Sequence, residues 1–499
     1  MSFIRTPRRW VPIAALFLFI VALNHIDPNS RVHYTNWTTA KLEPLSPTDV
    51  ARVAALKSLV AVPDDPVEFA NDRDKGLAWR DVYTAYNAAK LRELAVCNAH
   101  GDCHPNANKV ILFMSTWCIQ ATFENFIGGE GIWCKGMIGS LERQGYTVLY
   151  TNDEGSEHFV KKLYQQIPDL IKIVVNDDGF EGPRNLDHRP FYQKTPTRPD
   201  GIPLWKVFTF RYFGSVHPSK VGDRWSISAE PQWREQDTPW FENYTYIGYD
   251  IPKITGGTPS SQRPYRVWVY GKRSVYFDSS EANTAMWPME WFERARKELV
   301  QDYPGFEFIG SIKVENVENS KDQYYIDNYV NKGMKEVPCP EGIRNLGTLL
   351  PKAEFERELS QVRVMLGIGN PMTSPSPYFA LANGVSFINP HKRGPDKNRQ
   401  DDYREWGRVQ HSTLRTLSEP YVYNVEAEGD YSLFIGAIRR ALDNPIDPYV
   451  SEYHEIEGLD ERVREWMETD WEAEAQRILD LRKQGIETQN TREAAVFEM

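Results

Sequence analysis

The chain contains no Cys-x-x-Cys pair, so a zinc ribbon or a thioredoxin-type redox site is not what organises it. Only five cysteines, Cys97, Cys103, Cys118, Cys134 and Cys339, occur among 499 residues. An odd number leaves at least one thiol unpaired within the chain. In an oxidising compartment Cys97 with Cys103, and Cys118 with Cys134, are close enough in sequence to bridge, and the connectivity stays open at this level. There is no long basic run, and the net charge is −11. Nucleic acid is therefore not an expected partner. Internal repeats and low-complexity tracts are missing too, which sets aside solenoids and disordered scaffolds. Past residue 23 no segment is apolar and long enough to span a bilayer.

What is present reads as a globular chain of two or three domains: 41% hydrophobic, 25% charged and 13% aromatic residues. Arg5, Arg8 and Arg9 precede an apolar run from Trp10 to Leu23. Basic residues on that side keep the N-terminus cytosolic and send the remainder across. The run is short for a full span of about 20 residues, which is the length of a signal-peptide core. No small-x-small cleavage site follows closely, so the expectation is an uncleaved signal anchor over 1–23. Sequons at Asn36-Trp-Thr38 and Asn243-Tyr-Thr245 agree with lumenal exposure.

Residues 24–95 read as a stem with two helices. One follows the Ser46-Pro47-Thr48-Asp49 start signal and runs to about Val60. The other covers roughly Leu77 to Val96, with Val82, Tyr86 and Ala89 near one face. From Val110 short apolar runs alternate with helical segments, the pattern of a parallel α/β sheet. A helix is expected from about Trp133 to Gln144. The alternation breaks between about 178 and 245, then resumes at Arg266-Val-Trp-Val-Tyr270 and continues to the helix Asp430–Leu442. Two such units, 96–250 and 251–445, predict a ligand cleft between them at the carboxyl ends of the strands. A charged helical tail, 446–499, follows, and Trp466, Trp471 and Leu479 are its candidate docking residues.

The segment with most chemistry runs from Gly367 to Pro390. A buried strand ends at Gly367-Ile-Gly369, and Pro371, Pro375 and Pro377 punctuate the loop. Ser376 is placed to cap a helix with Pro377 at its first position, leaving backbone N–H groups that suit a diphosphate. Ala380-x-Ala382-Asn383-Gly384 and Phe387-x-Asn389-Pro390 follow. This segment resembles the donor site of the alpha-1,6-mannosyl-glycoprotein 6-beta-N-acetylglucosaminyltransferases, glycosyltransferase family 18. Tyr246-Ile-Gly248, Val269-Tyr-Gly-Lys272, Asn345-x-Gly347-x-Leu349, and Thr413-Leu-Arg415-x-Leu417-Ser418 with Pro420-Tyr421 match the family in the same order, over about 105 to 445.

The resemblance implies a GT-B fold, in which two Rossmann-like domains flank a cleft. It also implies UDP-GlcNAc in the second domain, an N-glycan mannose as acceptor in β-1,6 linkage, inversion at the anomeric carbon, no metal and no other cofactor, and residence in the Golgi membrane as a single-pass protein with a lumenal catalytic part. Inversion needs one base to take the acceptor hydroxyl proton. The family's base is a Glu after a Gly-Gly pair and before a Trp. Gly128-Gly129-Glu130-Gly-Ile-Trp133 offers Glu130, and Glu124 is the second choice. Lys272, Gly369, Ser374, Ser376, Phe379, Asn383 and Arg415 are the candidate donor-binding residues. Where the family carries two Glu for the donor ribose, this chain has Thr373 and Phe379. A Phe cannot accept hydroxyl hydrogen bonds, which motivates a rival reading, a glycan-binding relative without catalysis. A further alternative rests on Ile173-Val-Val-Asn-Asp177-Asp178, an apolar strand ending in paired carboxylates that resembles the metal motif of GT-A transferases.

Overall fold

The computed structural model describes residues 47–60, 73–151, 163–177, 193–212, 219–231, 244–254, 256–278, 285–347, 350–394, 406–427, 429–486, 497 and 499. Its frame is two six-stranded sheets in which every strand pair is parallel. The first contains β1 (Val110–Met114), β2 (Thr147–Thr151), β3 (Ile171–Asp177), β4 (Val207–Arg211), β5 (Ser226–Ser228) and β6 (Thr245–Tyr246), in the order β2-β1-β3-β4-β5-β6. The second contains β7 (Arg266–Tyr270), β8 (Glu307–Gly310), β11 (Ile343–Asn345), β12 (Val364–Gly367), β13 (Ser386–His391) and β14 (Val422–Glu426), in the order β11-β8-β7-β12-β13-β14. Counted within the sheet this is 3-2-1-4-5-6, the doubly wound nucleotide-binding order. A two-stranded antiparallel ribbon, β9 (Glu315–Asn316) with β10 (Glu336–Val337), lies in the polar insertion between β8 and β11. The α/β class with parallel sheets, read from the alternation, thus holds.

The continuous apolar runs explain the sheets. All five residues of β1 are buried, as are all of β12, which fits strands covered on both faces. β4, β5 and β6 fall in the stretch where the alternation was expected to break. Two of these are only three and two residues long, too short to carry a period.

The helices α1 (Pro47–Val60) and α2 (Arg73–His100) correct the stem expectation for the residues described. Leu56, Leu59, Leu91, Leu94 and Ala95 share one core with Val110, Leu112, Met114 and Leu149, so both helices cover the first sheet. Of the face expected at Val82, Tyr86 and Ala89, Tyr86 packs partly buried against the core. Ala89 is exposed, and the buried line runs through Tyr83, Asn87, Leu91 and Asn98. Asn87 is buried because its Nδ2 donates to the Tyr150 carbonyl at 2.6 Å while its Oδ1 accepts the Tyr150 N–H at 3.0 Å. An apolar periodicity cannot see a face whose buried positions are satisfied amides.

Helices α3 (Thr116–Phe123) and α4 (Gly129–Arg143) follow β1. α5 (Glu290–Asp302), α6 (Gln323–Asn328), α7 (Lys352–Leu359), α8 (Pro375–Ala382) and α9 (Tyr431–Asp443) belong with the second sheet. The tail forms α10 (Ile456–Glu468) and α11 (Trp471–Lys483), which return to the first sheet. Trp466 and Trp471 are buried, with ring centroids 5.5 and 4.8 Å from Phe208, and Trp471 lies 5.2 Å from Trp225. Arg143 grips Asp460 with two bonds, 2.6 and 3.2 Å. That pair is partly solvent-exposed, with side chains 40% and 32% accessible. Arg143→Ala should therefore cost about 1 kcal/mol or less. Urea melts at low and high salt check this, and a loss several times larger would mean the pair, not the buried tryptophans, holds the tail.

Cys97–Cys103 and Cys118–Cys134 are disulfides and Cys339 is free. The signal anchor at 1–23, Asn36 and Asn243 lie outside the described residues. Among the described residues no helix is long and apolar enough to cross a membrane. The expected Golgi single-pass placement is corrected on this ground: no described helix supplies its span, and the run it called on has 14 residues, short of a full span.

Candidate active site

Each sheet has one point where the strand order reverses, between β1 and β3 in the first and between β7 and β12 in the second. Ligands of such sheets bind outside the carboxyl ends of the strands at those points. In the first sheet β1 runs into Ser115, whose hydroxyl accepts the Cys118 N–H and caps α3. The Cys118–Cys134 disulfide ties α3 to α4. Between them the chain turns tightly under Phe126. A Cβ on Gly128 would lie 2.2 Å from the Phe126 ring, and one on Gly131 would lie 2.5 Å from the Phe126 carbonyl oxygen. Those glycines let α4 begin at Gly129, four residues earlier than the sequence pattern implied. Glu130 consequently sits in the first helical turn, where the helix dipole favours a carboxylate. Glu124 is exposed at the C-cap of α3.

Lys272 follows β7 in the second sheet, is half-buried, and feels the Glu130 charge. Burial lowers its pKa and Glu130 opposes that shift. The two residues, 142 positions apart in the chain, thus come near enough to interact electrostatically.

Around the second switch point the Tyr270 hydroxyl donates to Ser374 Oγ at 2.6 Å. The Gly369 N–H donates to Gln410 Oε1 at 2.8 Å, and Thr373 is buried at φ +40° with its N–H on the Gln410 carbonyl. Here the expected cap moves. Ser374, not Ser376, is the N-cap of α8, and Pro375 is its first residue. Proline lacks an N–H. With prolines at 375 and 377, Ser376 supplies the one N–H of the first three helical residues, 3.5 Å from Ser374 Oγ. The backbone anion site expected at this helix start is correspondingly poor in donors, and basic side chains must supply the positive charge.

Lys272, Gly369, Ser374 and Ser376 therefore gather at the carboxyl ends of β7 and β12. Phe379 packs partly buried against the core. Asn383 lies at the other end of α8, where its Nδ2 caps the Phe379 carbonyl at 2.8 Å and its own carbonyl accepts from Arg263. It serves helix termination. Arg415 sits in the 3₁₀ turn Thr413–Thr416, whose carbonyl accepts from Asn424. β3 ends at Asp177, and Asp178 lies outside the described residues. Among the described residues no group of three or more His, Cys, Asp or Glu is placed to hold a metal ion.

Sequence reasoning missed the group at the seam of the two sheets. Glu230, two residues past β5, is fully buried. Its Oε1 accepts from the Tyr249 hydroxyl at 2.7 Å, and its Oε2 from the Tyr378 hydroxyl at 2.8 Å and Thr413 Oγ1 at 2.9 Å. Burial pushes its pKa up to about 7, with the three hydroxyl bonds opposing. Tyr249 follows the first sheet, whereas Tyr378 and Thr413 belong with the second. His411 and His454 pack beside them, both pushed down to about 3 by burial. His411 Nε2 lies 3.1 Å from the Ser374 carbonyl, and its Nδ1 accepts the Leu414 N–H. That defines a neutral ring carrying its proton on Nε2. The His454 ring lies 3.9 Å from that of Tyr378 and 5.0 Å from that of Tyr249.

Two doubly wound parallel sheets joined by a polar seam form a GT-B-like architecture. Residues 313–479 match the family model described as Glycosyltransferase family 18. The resemblance read from the motifs is therefore borne out over residues 313–479, from the insertion after β8 through β11, β12, β13 and β14 and into α11. Human alpha-1,6-mannosylglycoprotein 6-beta-N-acetylglucosaminyltransferase B is 26% identical over 147 residues, 28% of this chain and 18% of that protein. The human A enzyme is 25% identical over 140 residues, 26% of this chain and 18% of that protein. The chain thus covers under one fifth of the length of these relatives. Among solved structures, Anabaena HepE in complex with UDP superposes at a TM-score of 0.35 with 10% identity, covering 75% of this chain and 100% of that one. So loose a superposition carries no detail of the site.

Proposed function

We propose that the chain is an inverting glycosyltransferase that moves GlcNAc from UDP-GlcNAc to the 6-hydroxyl of an N-glycan mannose, forming a β linkage. The observation that carries this reading is Glu130 in the first turn of α4, within electrostatic reach of Lys272 just past the carboxyl end of β7. The names of the matched relatives point the same way. Glu130 takes the acceptor hydroxyl proton as the oxygen attacks the anomeric carbon, and the bond to the diphosphate breaks on the opposite face. Lys272 balances the charge growing on the departing diphosphate. Ser374 and Ser376 supply hydroxyls at the same edge. Incubating the purified full-length chain with a panel of nucleotide sugars and N-glycan acceptors tests it. A folded sample that transfers nothing from any donor overturns the enzyme reading, while transfer from another donor moves only the specificity.

Thr373 and Phe379 favour a second reading, a glycan-binding relative without donor affinity. Thr373 is buried and Phe379 packs on the core, so neither presents a carboxylate to a ribose. Calorimetric titration with UDP separates the two, and clear UDP binding counts against the second.

Transfer is expected to persist in EDTA, because basic side chains replace a cation at the diphosphate. Loss of activity in EDTA with recovery in manganese would move the site to Asp177 and Asp178 and the mechanism to the metal-dependent class.

A further inference from the structure

We propose that Trp117 and Phe126 form an acceptor subsite, a stacking platform for one pyranose ring of the glycan, beside Glu130. The inference rests on the glycosyl-transfer reading only for the word acceptor, since the platform itself is a binding site.

Four observations place it. First, Trp117 is the second residue of α3, just past the carboxyl end of β1, at the switch point of the first sheet. Second, the two rings form a pair, with centroids 5.4 Å apart and planes tilted by 33°, and both residues are half-buried, Trp117 packing partly on the core. Third, Phe126 lies on the turn that starts α4. Gly128 and Gly131, on either side of Glu130, have no room for a Cβ beneath it. The ring thus packs on the backbone of the turn that carries Glu130, four residues further along the chain. Fourth, the platform is held rigidly. Cys118, next to Trp117, is bonded to Cys134 on α4, and the Phe126 N–H donates to the Gln120 carbonyl at 3.1 Å. Asn125, in the left-handed region at φ +57°, accepts from Lys135 Nζ at 2.5 Å. Fixing the contact group in advance removes ordering cost from binding.

The rim identifies the ligand as a sugar. A pyranose has a face of C–H bonds that suits an aromatic ring and an edge of hydroxyls that needs polar partners. Around the ring pair stand Asn125, Glu124 and Lys135. Burial lowers the Lys135 pKa, and the charge of Lys352 on α7 adds to that shift. An apolar peptide or lipid chain would take these groups out of water and offer no hydrogen bond in exchange, whereas sugar hydroxyls can bond to them.

The test uses the full-length chain carrying Trp117→Ala, Trp117→Phe or Phe126→Leu. Phe126→Leu keeps an apolar side chain over Gly128 and Gly131 but removes the ring. Thermal melts confirm that each variant folds, and isothermal titration gives UDP affinity. N-glycan binding is read by saturation-transfer NMR, which needs no turnover. Trp117→Ala and Phe126→Leu should each weaken glycan binding, and raise acceptor KM, by roughly ten- to thirty-fold. UDP affinity and kcat should stay within about two-fold of the parent, and Trp117→Phe should restore most of the loss. Glycan binding that depends on Trp117 in a chain that transfers nothing would uphold the platform and overturn the transfer reading. Transfer with unchanged acceptor KM in folded Trp117→Ala and Phe126→Leu would overturn the platform and uphold transfer. A parent chain that binds no glycan overturns it as well.

Discussion

Glu130→Gln lowers kcat by about 10²–10⁴, roughly 3–5 kcal/mol of transition-state stabilisation, the usual cost of removing a positioned general base. The amide has the size of the carboxyl group and keeps its place in the first turn of α4, but it cannot accept the acceptor proton. Donor affinity moves little, and any movement is toward tighter binding. Lys272 feels the Glu130 charge, so neutralising Glu130 leaves more of the lysine's field for the diphosphate. Glu124→Gln is the internal control. It removes a carboxylate only six residues away, but from an exposed C-cap position, and should leave kcat within about two-fold. Steady-state kinetics with UDP titrations, and a melt for each variant, decide it. If Glu124→Gln is inactive and Glu130→Gln is not, the base has been misassigned. If neither changes kcat by more than a few-fold, the Gly-Gly-Glu match is coincidence.

The sequence carried the two sheets because a parallel strand buried on both faces is a run of apolar residues, and β1, β7 and β12 are such runs. It carried less where structure depends on partners far along the chain. β5 and β6 are ordered by their neighbours in the sheet, not by any period of their own. The buried face of α2 is partly polar because the backbone of β2 satisfies Asn87. The helix start at Gly129 follows from the room that Gly128 and Gly131 leave for Phe126, which local capping signals do not encode. The anchor expectation, read from a short apolar run with basic flanks, finds no support in any described helix. Of the proposed site, Glu130 and Lys272 were named through motifs. Glu230 was not, because its partners Tyr378 and Thr413 lie 148 and 183 positions away and an isolated Ser-Ala-Glu carries no signal.

That buried carboxyl makes the stability of the whole chain depend on pH. Its usual value is 4.5, and burial raises it to about 7 in the folded state. Between those values the folded chain keeps a proton that the unfolded chain has released. The folded state binds more protons there, so unfolding free energy falls as pH rises through that window. Below about 4.5 both states are protonated and the contribution is at its most favourable. Above about 7 the fold must hold a bare carboxylate among three hydroxyls, and the full cost, roughly 3 kcal/mol, is present. Glu230→Gln removes the titration while keeping the shape, and the Tyr249, Tyr378 and Thr413 hydroxyls can rotate to meet an amide. The difference in unfolding free energy between the variant and the parent should therefore shift by roughly 3 kcal/mol in the variant's favour between pH 4.5 and pH 8. Glu230→Ala provides the contrast. It leaves three buried hydroxyls without an acceptor, costing about 1–3 kcal/mol for each that water cannot rescue, so it should be the less stable variant at every pH. Urea melts of all three proteins across that range measure both effects. A difference between Glu230→Gln and the parent that stays flat within about 0.5 kcal/mol over the whole range, well short of the linkage expected from such a shift, would show that Glu230 titrates alike in the folded and unfolded chains, and that the seam between the sheets does not hold a proton.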